Sequence, residues 1–346
     1  MKPLVSILIP AYNAESSIEE TLQSALAQTW PRKEIIVVDD GSRDATLRVA
    51  RGFESRSVLV CTQENQGAAA ARNKAFQLCS GDYIQWLDAD DLLSPNKVSS
   101  QMAVFLNRNN PRILLSSSWG YFLHRHRKAQ FCPSPLWADL SPADWLIRKM
   151  SLNLHMQTAT WLVSRQVSDV AGPWDTRLLG DDDGEYFCRI LTAAEEVLFV
   201  EGAKVYYRMP GGSNLSTIGS SDQKLNAQLA SIRLHIGYLR GLEESERVHV
   251  ACLQYLQNWM FHFYPQRPDL VSEIRQLAAE LGGTVTPPIR PWKYRWIESL
   301  AGPRVAKQAQ LSIPSIKWAV LTRVDKALYG IEKVLHADSP NEMAEN

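Results

Sequence analysis

The sequence predicts an α/β fold, a mostly parallel central sheet followed by a helical C-terminal appendage, and three observations carry that prediction. Short apolar runs alternate with helical periodicities over residues 4–118. Two of these runs, Glu34-Ile-Ile-Val-Val38 and Tyr83-Ile-Gln-Trp-Leu87, end in clustered acids, Asp39-Asp40 and Asp88-Ala-Asp-Asp91. After about residue 222 the short runs stop, and Leu225, Leu229, Ile232, Ile236 and Leu239 recur at helical spacing. Continuous apolar runs bounded by turn residues read as strands buried on both faces, which is the habit of parallel sheets. A strand–helix alternation places helices on both sides of such a sheet.

Each element has its own warrant. Leu4–Ile9 reads as the first strand. Ser17-x-x-Glu20 fits a capping box, followed by Ile18, Leu22, Ala25 and Leu26 on one helical face. Strand Glu34–Val38 follows, and Asp44 is placed to cap a helix carrying Leu47 and Ala50. Val58–Cys61 is a strand, Gly67–Leu78 an alanine-rich helix and Tyr83–Leu87 a strand. Ser94-Pro95 fits an N-cap with a first-turn proline, and Ile113–Ser116 is a further strand. Residues 119–155 are irregular, with Pro133, Pro135, Pro142 and the basic run His124-Arg-His-Arg-Lys128, either a solvated loop or a wall of the second substrate's site. A strand is expected over Thr158–Ser164, helices over 222–239 and Val248–Phe263, a linker over Gly282–Pro291 and a disordered tail over 337–346.

Composition narrows the function. The chain has 346 residues, 45% of them apolar, enough for a large core. Lys+Arg and Asp+Glu both number 37, and zero net charge argues against nucleic acid as a partner. The five cysteines form no C-x-x-C pair, which fits reduced thiols in a cytoplasmic protein. The apolar N-terminus is too short for a signal peptide, and no stretch reaches the roughly 18 apolar residues of a membrane span. Residues 289–333 carry nine Lys/Arg against three acids, with Trp292, Tyr294, Trp296 and Trp318 interleaved. Such a segment either lies on the inner face of an anionic membrane, as a peripheral contact, or packs as a helical appendage.

The acids carry the chemistry. In open parallel sheets ligands bind at the carboxyl ends of strands. Several carboxylates gathered there repel one another unless a cation joins them. Oxygen ligands of this kind suit Mg²⁺ or Mn²⁺ shared with substrate phosphates.

Five motifs then follow in order: Pro10-Ala-Tyr-Asn13; Asp39-Asp-Gly-Ser42 with Asp44; Asn65-Gln-Gly67 with Ala71-Arg-Asn73; Asp88-Ala-Asp-Asp91; and Gly172-Pro-Trp-Asp175 leading to Asp181-Asp-Asp183 and Arg189. Over roughly residues 3–216 the chain resembles the family 2 glycosyltransferases of GT-A fold. The resemblance implies a GT-A domain over 1–220, with a donor half to about 118 and an acceptor half beyond it, and a helical region over 221–336. It implies an inverting transfer from a nucleotide-diphosphate sugar, a UDP-sugar by the family's habit, to a saccharide or lipid-linked acceptor. Pro10, Tyr12 and Asn13 would lie along the base and ribose. Asp40 would accept the N3–H of uracil, with Asp39 more structural. Gly67 would admit the nucleotide to the backbone, and Arg72 would reach the donor or a neighbouring aspartate. Asp88 would lie near the ribose or metal, and Asp90 would bind it. Counting back from Arg189 puts Asp182 at the family's Glu position and Asp183 at its Asp position, which makes Asp183 the general base. The extra Asp181 leaves the register open by one residue. His155 is a candidate for the acceptor or phosphate, and Arg208, before the Gly211–Ser216 loop, for the diphosphate.

Three rival readings fit the sequence less well. A sugar nucleotidyltransferase would carry a Gly-rich basic loop where this chain has Pro10-Ala-Tyr-Asn13. A Rossmann dehydrogenase would need G-x-G-x-x-G, which is absent. A degenerate binding module without turnover is countered by the retention of Asp90 and Asp183.

Overall fold

The computed structural model describes residues 2–209, 221–289 and 291–337. The Gly211–Ser216 loop and the tail beyond residue 337 lie outside the described residues. The first half builds a five-stranded sheet from β1 (Val5–Ala11), β2 (Lys33–Asp39), β3 (Val58–Thr62), β4 (Tyr83–Trp86) and β7 (Val163–Ser164). Its order is β3-β2-β1-β4-β7, parallel except for β7 against β4. All of β1 and residues 35–39 of β2 are buried, as their apolar runs require. The chain moves outward from β1 to β3 and then returns to β4 on the other side of β1. That reversal opens a crevice at the carboxyl ends of β1 and β4, the place where sheets of this kind take ligands.

Helices α1 (Ile18–Leu26), α2 (Thr46–Arg51) and α3 (Ala68–Leu78) connect these strands. The small residues Ala71 and Ala75 are fully buried on α3, which packs against β1 and β2. Asp44 supports the start of α2 by accepting the Thr46 N–H at 2.9 Å. The capping box at Ser17 does not form. Ser17 sits at φ −133° and turns its hydroxyl to the Ala14 carbonyl, while Glu20 pairs with Arg208 from far along the chain. A charge-assisted tertiary contact outcompetes a local cap here.

A second sheet has the order β5-β8-β6, from β5 (Leu92–Leu93), β6 (Ile113–Phe122) and β8 (Glu196–Arg208). Strand β6 runs six residues past its expected end, with a bulge at Ser117/Ser118 that keeps it paired to β8. Leu92–Leu93 pair with β8 and a turn over Pro95-Asn96 follows, so α4 (Lys97–Arg108) begins two residues later than expected, with Asn96 at its N-cap. The expected strand over Thr158–Ser164 is only two residues long, because Thr158–Thr160 form a 3₁₀ turn.

The irregular stretch hides α5 (Pro142–Ser151), capped by Ser141, whose hydroxyl accepts the Asp144 N–H at 3.1 Å. Helices α6 (Arg165–Ala171) and α7 (Asp182–Ala193) precede β8, and α8 (Asp222–Leu242), α9 (Glu246–Phe263) and α10 (Pro268–Glu280) follow it. Their apolar faces join one core with the main sheet, through residues such as Trp145, Leu191, Ile232, Tyr255 and Ile274. The last helix, α11 (Trp292–Ala337), bends at Gly302, where φ is +82°. Lys307 fastens its first part by donating to the carbonyls of His262 and Tyr264, each at 2.9 Å. Asp325, Tyr329 and Glu332 fasten its far part to the N-terminal half. No described helix is long and apolar enough to cross a membrane.

Candidate active site

The carboxyl ends of β1 and β2 are knitted together. Asn13 adopts a left-handed φ of 49°, donates its N–H to Ser42 Oγ at 3.0 Å and accepts the Arg43 N–H at 2.9 Å. Pro10 is buried inside β1, whereas the Tyr12 ring is 44% exposed and offers a free apolar face. Asp39 accepts from Thr62 Oγ1 at 3.0 Å and from the Ser42 N–H at 3.3 Å, which suits the structural role expected of it. Asp40 accepts from Gln63 Nε2 at 2.8 Å and from the N–H groups of Gln66 and Gly67 at 3.0 and 2.8 Å. A carboxylate offers about four lone-pair positions, so one remains for a ligand N–H. Gly67 holds φ at +90°, a conformation other residues resist, and so brings its N–H onto Asp40.

Arg72 draws the two acidic motifs together. One guanidinium nitrogen donates to Asp88 Oδ1 and another to Asp182 Oδ2, both at 2.8 Å. The guanidinium lies 4.4 Å from the Trp174 ring centre, and Trp174 stacks on Tyr186 at 4.1 Å. Asn73 fixes Trp174 from both sides, accepting its N–H at 2.8 Å and donating to its carbonyl at 2.9 Å. Burial alone would lower the Arg72 pKa, but the charges of Asp88 and Asp182 outweigh it and raise it.

Three consecutive aspartates take three directions. Asp181, at φ 59°, turns toward α8, where Gln228 Nε2 donates to it at 2.8 Å and the His235 ring nitrogen lies 3.9 Å away. Asp182 is the partner of Arg72. Among the described residues Asp183, inside the first turn of α7, has only a long 3.4 Å contact from Thr158 Oγ1 besides the N–H of its neighbour Gly184. Two residues on, Glu185 is buried and pairs with Arg189, the residue from which the register of the acids is counted, at 2.6 Å. Burial lifts the carboxyls of Asp181 and Asp182 to about 6, with Asp183 adding to both shifts.

The remaining candidates divide. His155 is exposed at the rim, its ring 6.0 Å from that of Tyr207. Arg208 is not free to meet a diphosphate. Its Nε donates to the Asp90 carbonyl at 2.8 Å, and a terminal nitrogen donates to Glu20 at 2.6 Å. It therefore braces the acidic loop from behind. Asp91 is fully buried and accepts from the Arg208 N–H at 2.9 Å and from Gln157 Nε2. It neither caps α4 nor faces a ligand. Sequence reasoning missed Gln157, Thr158 and Glu20. In the sequence Glu20 reads as a local cap, while Gln157 precedes and Thr158 opens a stretch that reads as a strand but instead begins with a 3₁₀ turn.

The residues present fit a hard divalent cation. No side chain among the described residues donates to the Asp90 carboxylate, and burial together with Asp88 raises it to about 6. A carboxylate kept partly dry beside a second acid, with no donor of its own, is short of positive charge. Among the described residues no three metal-binding side chains converge on one point. A cation held by Asp90 would complete its shell with phosphate oxygens and water, the habit of Mg²⁺ and Mn²⁺.

Comparison with known proteins bears on the family and the fold. Residues 6–152 match the family described as glycosyl transferase family 2. A Bacillus subtilis protein named as a teichuronic acid biosynthesis glycosyltransferase, TuaG, is 41% identical over 111 residues, 31% of this chain and 44% of that protein. The Escherichia coli UDP-Glc:alpha-D-GlcNAc-diphosphoundecaprenol beta-1,3-glucosyltransferase WfgD is 41% identical over 107 residues, 31% of this chain and 42% of that protein. The match thus spans less than half the length of these curated relatives. Staphylococcus aureus TarS 1–349 in complex with UDP-GlcNAc superimposes with a TM-score of 0.63 at 18% identity, over 89% of this chain and 92% of that one. The mannosyltransferase PcManGT from Pyrobaculum calidifontis, in complex with GDP-Man and Mn²⁺, gives 0.51 at 16% identity, over 99% and 89%. The segment 6–152 therefore belongs to glycosyltransferase family 2, and the chain around it has the GT-A fold.

Proposed function

We propose that this protein transfers a sugar from a nucleotide-diphosphate sugar, a UDP-sugar, to an acceptor hydroxyl with inversion at the anomeric carbon. The observation that carries the proposal is the division of labour among Asp181, Asp182 and Asp183. Two are committed to α8 and to Arg72, and Asp183 keeps a carboxylate with only a long side-chain contact among the described residues. In this reading Asp183 takes the proton of the acceptor hydroxyl as its oxygen bonds to the anomeric carbon. The bond from that carbon to the diphosphate breaks, and the nucleoside diphosphate departs with the electron pair. One base with no second nucleophile implies single displacement, as in inverting glycosidases.

Asp90, with Asp88 beside it, would hold Mg²⁺ or Mn²⁺, which when bound offsets the charge of the leaving diphosphate. Tyr12 presents its ring to the base, Asp40 offers its remaining lone pair to a base N–H, and Arg72 holds Asp88 and Asp182 in register. The donor class is supported by the UDP-GlcNAc in the TarS complex and by the name of WfgD. The same name supports a lipid-linked acceptor, which would bring the enzyme to the inner face of a membrane. The first part of α11 suits that place: Trp292, Trp296 and Leu300 are 78%, 62% and 81% exposed, and Lys293 and Arg295 flank them. Residues 1–220 would then act as the catalytic unit, with 221–336 as its helical appendage.

The test begins with thermal shifts against UDP, GDP, dTDP and CDP, each with and without Mn²⁺. Asp183→Asn is then assayed with the sugar nucleotide selected. Loss of transfer by about 10²–10⁴-fold, with nucleotide binding and fold intact, is the expected result. Undiminished biological activity of Asp183→Asn and Asp90→Asn would instead mark a binding module.

A further inference from the structure

The far end of α11 reaches back to the acidic loop through a continuous chain of hydrogen bonds. The Tyr329 hydroxyl donates to Glu20 on α1. The other carboxylate oxygen of Glu20 accepts from Arg208 at 2.6 Å. Arg208 in turn donates to the Asp90 carbonyl at 2.8 Å, while its backbone N–H holds Asp91 at 2.9 Å. The guanidinium also lies 4.6 Å from the Phe122 ring centre. Beside this chain, Arg125 donates to Asp325 at 2.7 Å and to Glu332 at 2.9 Å, and Asp325 accepts the His124 N–H at 2.9 Å. Asp325, Tyr329 and Glu332 are spaced four and three residues apart and so share one face of the helix. Leu321, Val324, Leu328 and Ile331 form the adjoining stripe, which stays exposed. The basic run His124–Lys128 is thus neither a free loop nor an acceptor wall at Arg125: that residue anchors α11.

We infer that the far end of α11 is a latch that positions the metal-binding loop, with Tyr329 and Glu20 as positioning residues that act on Asp90 through Arg208. The inference rests on the reading of Asp90 as a metal ligand. Among the described residues Asp90 has no side-chain donor of its own, so its carboxylate is aimed by the backbone that Arg208 grips. Glu20 is the only acid paired with that guanidinium among the described residues. Without Glu20 the guanidinium is left with carbonyl partners alone and is free to turn toward the acids of the loop. Without the Tyr329 hydroxyl, Glu20 loses the donor on its second oxygen. Charge-assisted bonds in a series of this kind strengthen one another.

The experiment uses the full chain with Glu20→Gln and Tyr329→Phe, two changes that keep side-chain size. Hydrogen exchange of the metal-free protein reads the backbone of residues 88–93. Titration calorimetry with UDP, in Mn²⁺ and in EDTA, reads the site. Both variants are expected to exchange faster at 88–93 than the parent while keeping its melting temperature within a few degrees. Glu20→Gln is expected to weaken Mn²⁺-dependent UDP binding roughly tenfold, the size of one lost hydrogen bond to a charged group, and Tyr329→Phe less. UDP binding in EDTA should stay unchanged. Parental exchange at 88–93 in both folded variants would overturn the latch. Faster exchange in a protein whose parent shows no Mn²⁺-dependent UDP binding would leave the latch standing and sink the donor-site reading instead.

Discussion

The ends of β2 and β4 carry their acids in opposite ways. Asp40, after β2, is held on both oxygens by protein donors, with three N–H groups from Gln63, Gln66 and Gly67. Asp90, after β4, has no side-chain donor among the described residues, and burial beside Asp88 raises it to about 6. Both sit at the mouth of the same crevice, one residue-run apart across β1. The difference shows that the fold makes one carboxylate part of its own framework and leaves the other short of positive charge. A framework acid is costly to remove from the protein itself. An undercompensated acid is costly only to whatever cation was meant to complete it.

That contrast can be broken from the framework side first. Asp40→Ala strands three donors, two of them on the backbone, and should lower stability by about 4 kcal/mol in urea denaturation with no change in metal response. A loss under about 1 kcal/mol would show that the Gln63–Gly67 loop does not depend on Asp40. From the other side, Asp90→Asn should leave the metal-free melting temperature at or above that of the parent. It should weaken UDP binding in Mn²⁺ by about 100-fold, since the cation that links protein and diphosphate loses its ligand. Equal Mn²⁺ enhancement in both proteins would dismiss Asp90 as that ligand.

The smallest effect sharpens the same idea at a third acid. Asp181 is partly buried and is raised to about 6 by desolvation, with Asp183 adding to the shift and Lys149, His155 and the Gln228 amide opposing it. The facing His235 is pushed down to about 3 by burial and so brings no charge. A carboxyl held above its unfolded pKa favours the fold while protonated and weighs against it once ionised. Its cost is therefore absent near pH 4 and complete above about pH 6. Asp181→Asn, which can keep the bond with Gln228, should gain about 2 kcal/mol at pH 7.5 and nothing at pH 4. A pH-independent difference between the two proteins would refute the assignment of that cost to ionisation.

The strands of the main sheet were legible in the sequence because their signals are local. Ile35–Val38 has no solvent-facing residue to alternate with, so its run alone declares a buried parallel strand. Asp88 and Asp90 announce themselves as a cluster after such a run, and the Arg189 count places Asp183. The acceptor side and the braces around the site were not legible, because their partners lie far away in the chain. Ser17-x-x-Glu20 has the letters of a cap, yet Glu20 answers to a residue 188 positions later. Arg208 looked like a free cation next to a glycine-rich loop, and only the fold shows that both its faces are occupied. Helix α5 hid behind prolines that read as loop, although Pro142 merely starts it.

The contact between Tyr329 and Glu20 joins residues 309 positions apart. On a ribosome adding roughly 5–20 residues per second, Glu20 emerges some 15–60 seconds before its partner exists. The central strands and the acidic loop are thus made, and have time to collapse, while their last brace is still unsynthesised. A nascent chain at that stage would carry an assembled crevice with a slack acidic loop. Completion of α11 would then be a late event in maturation, one that finishes the protein after its fold is already in place.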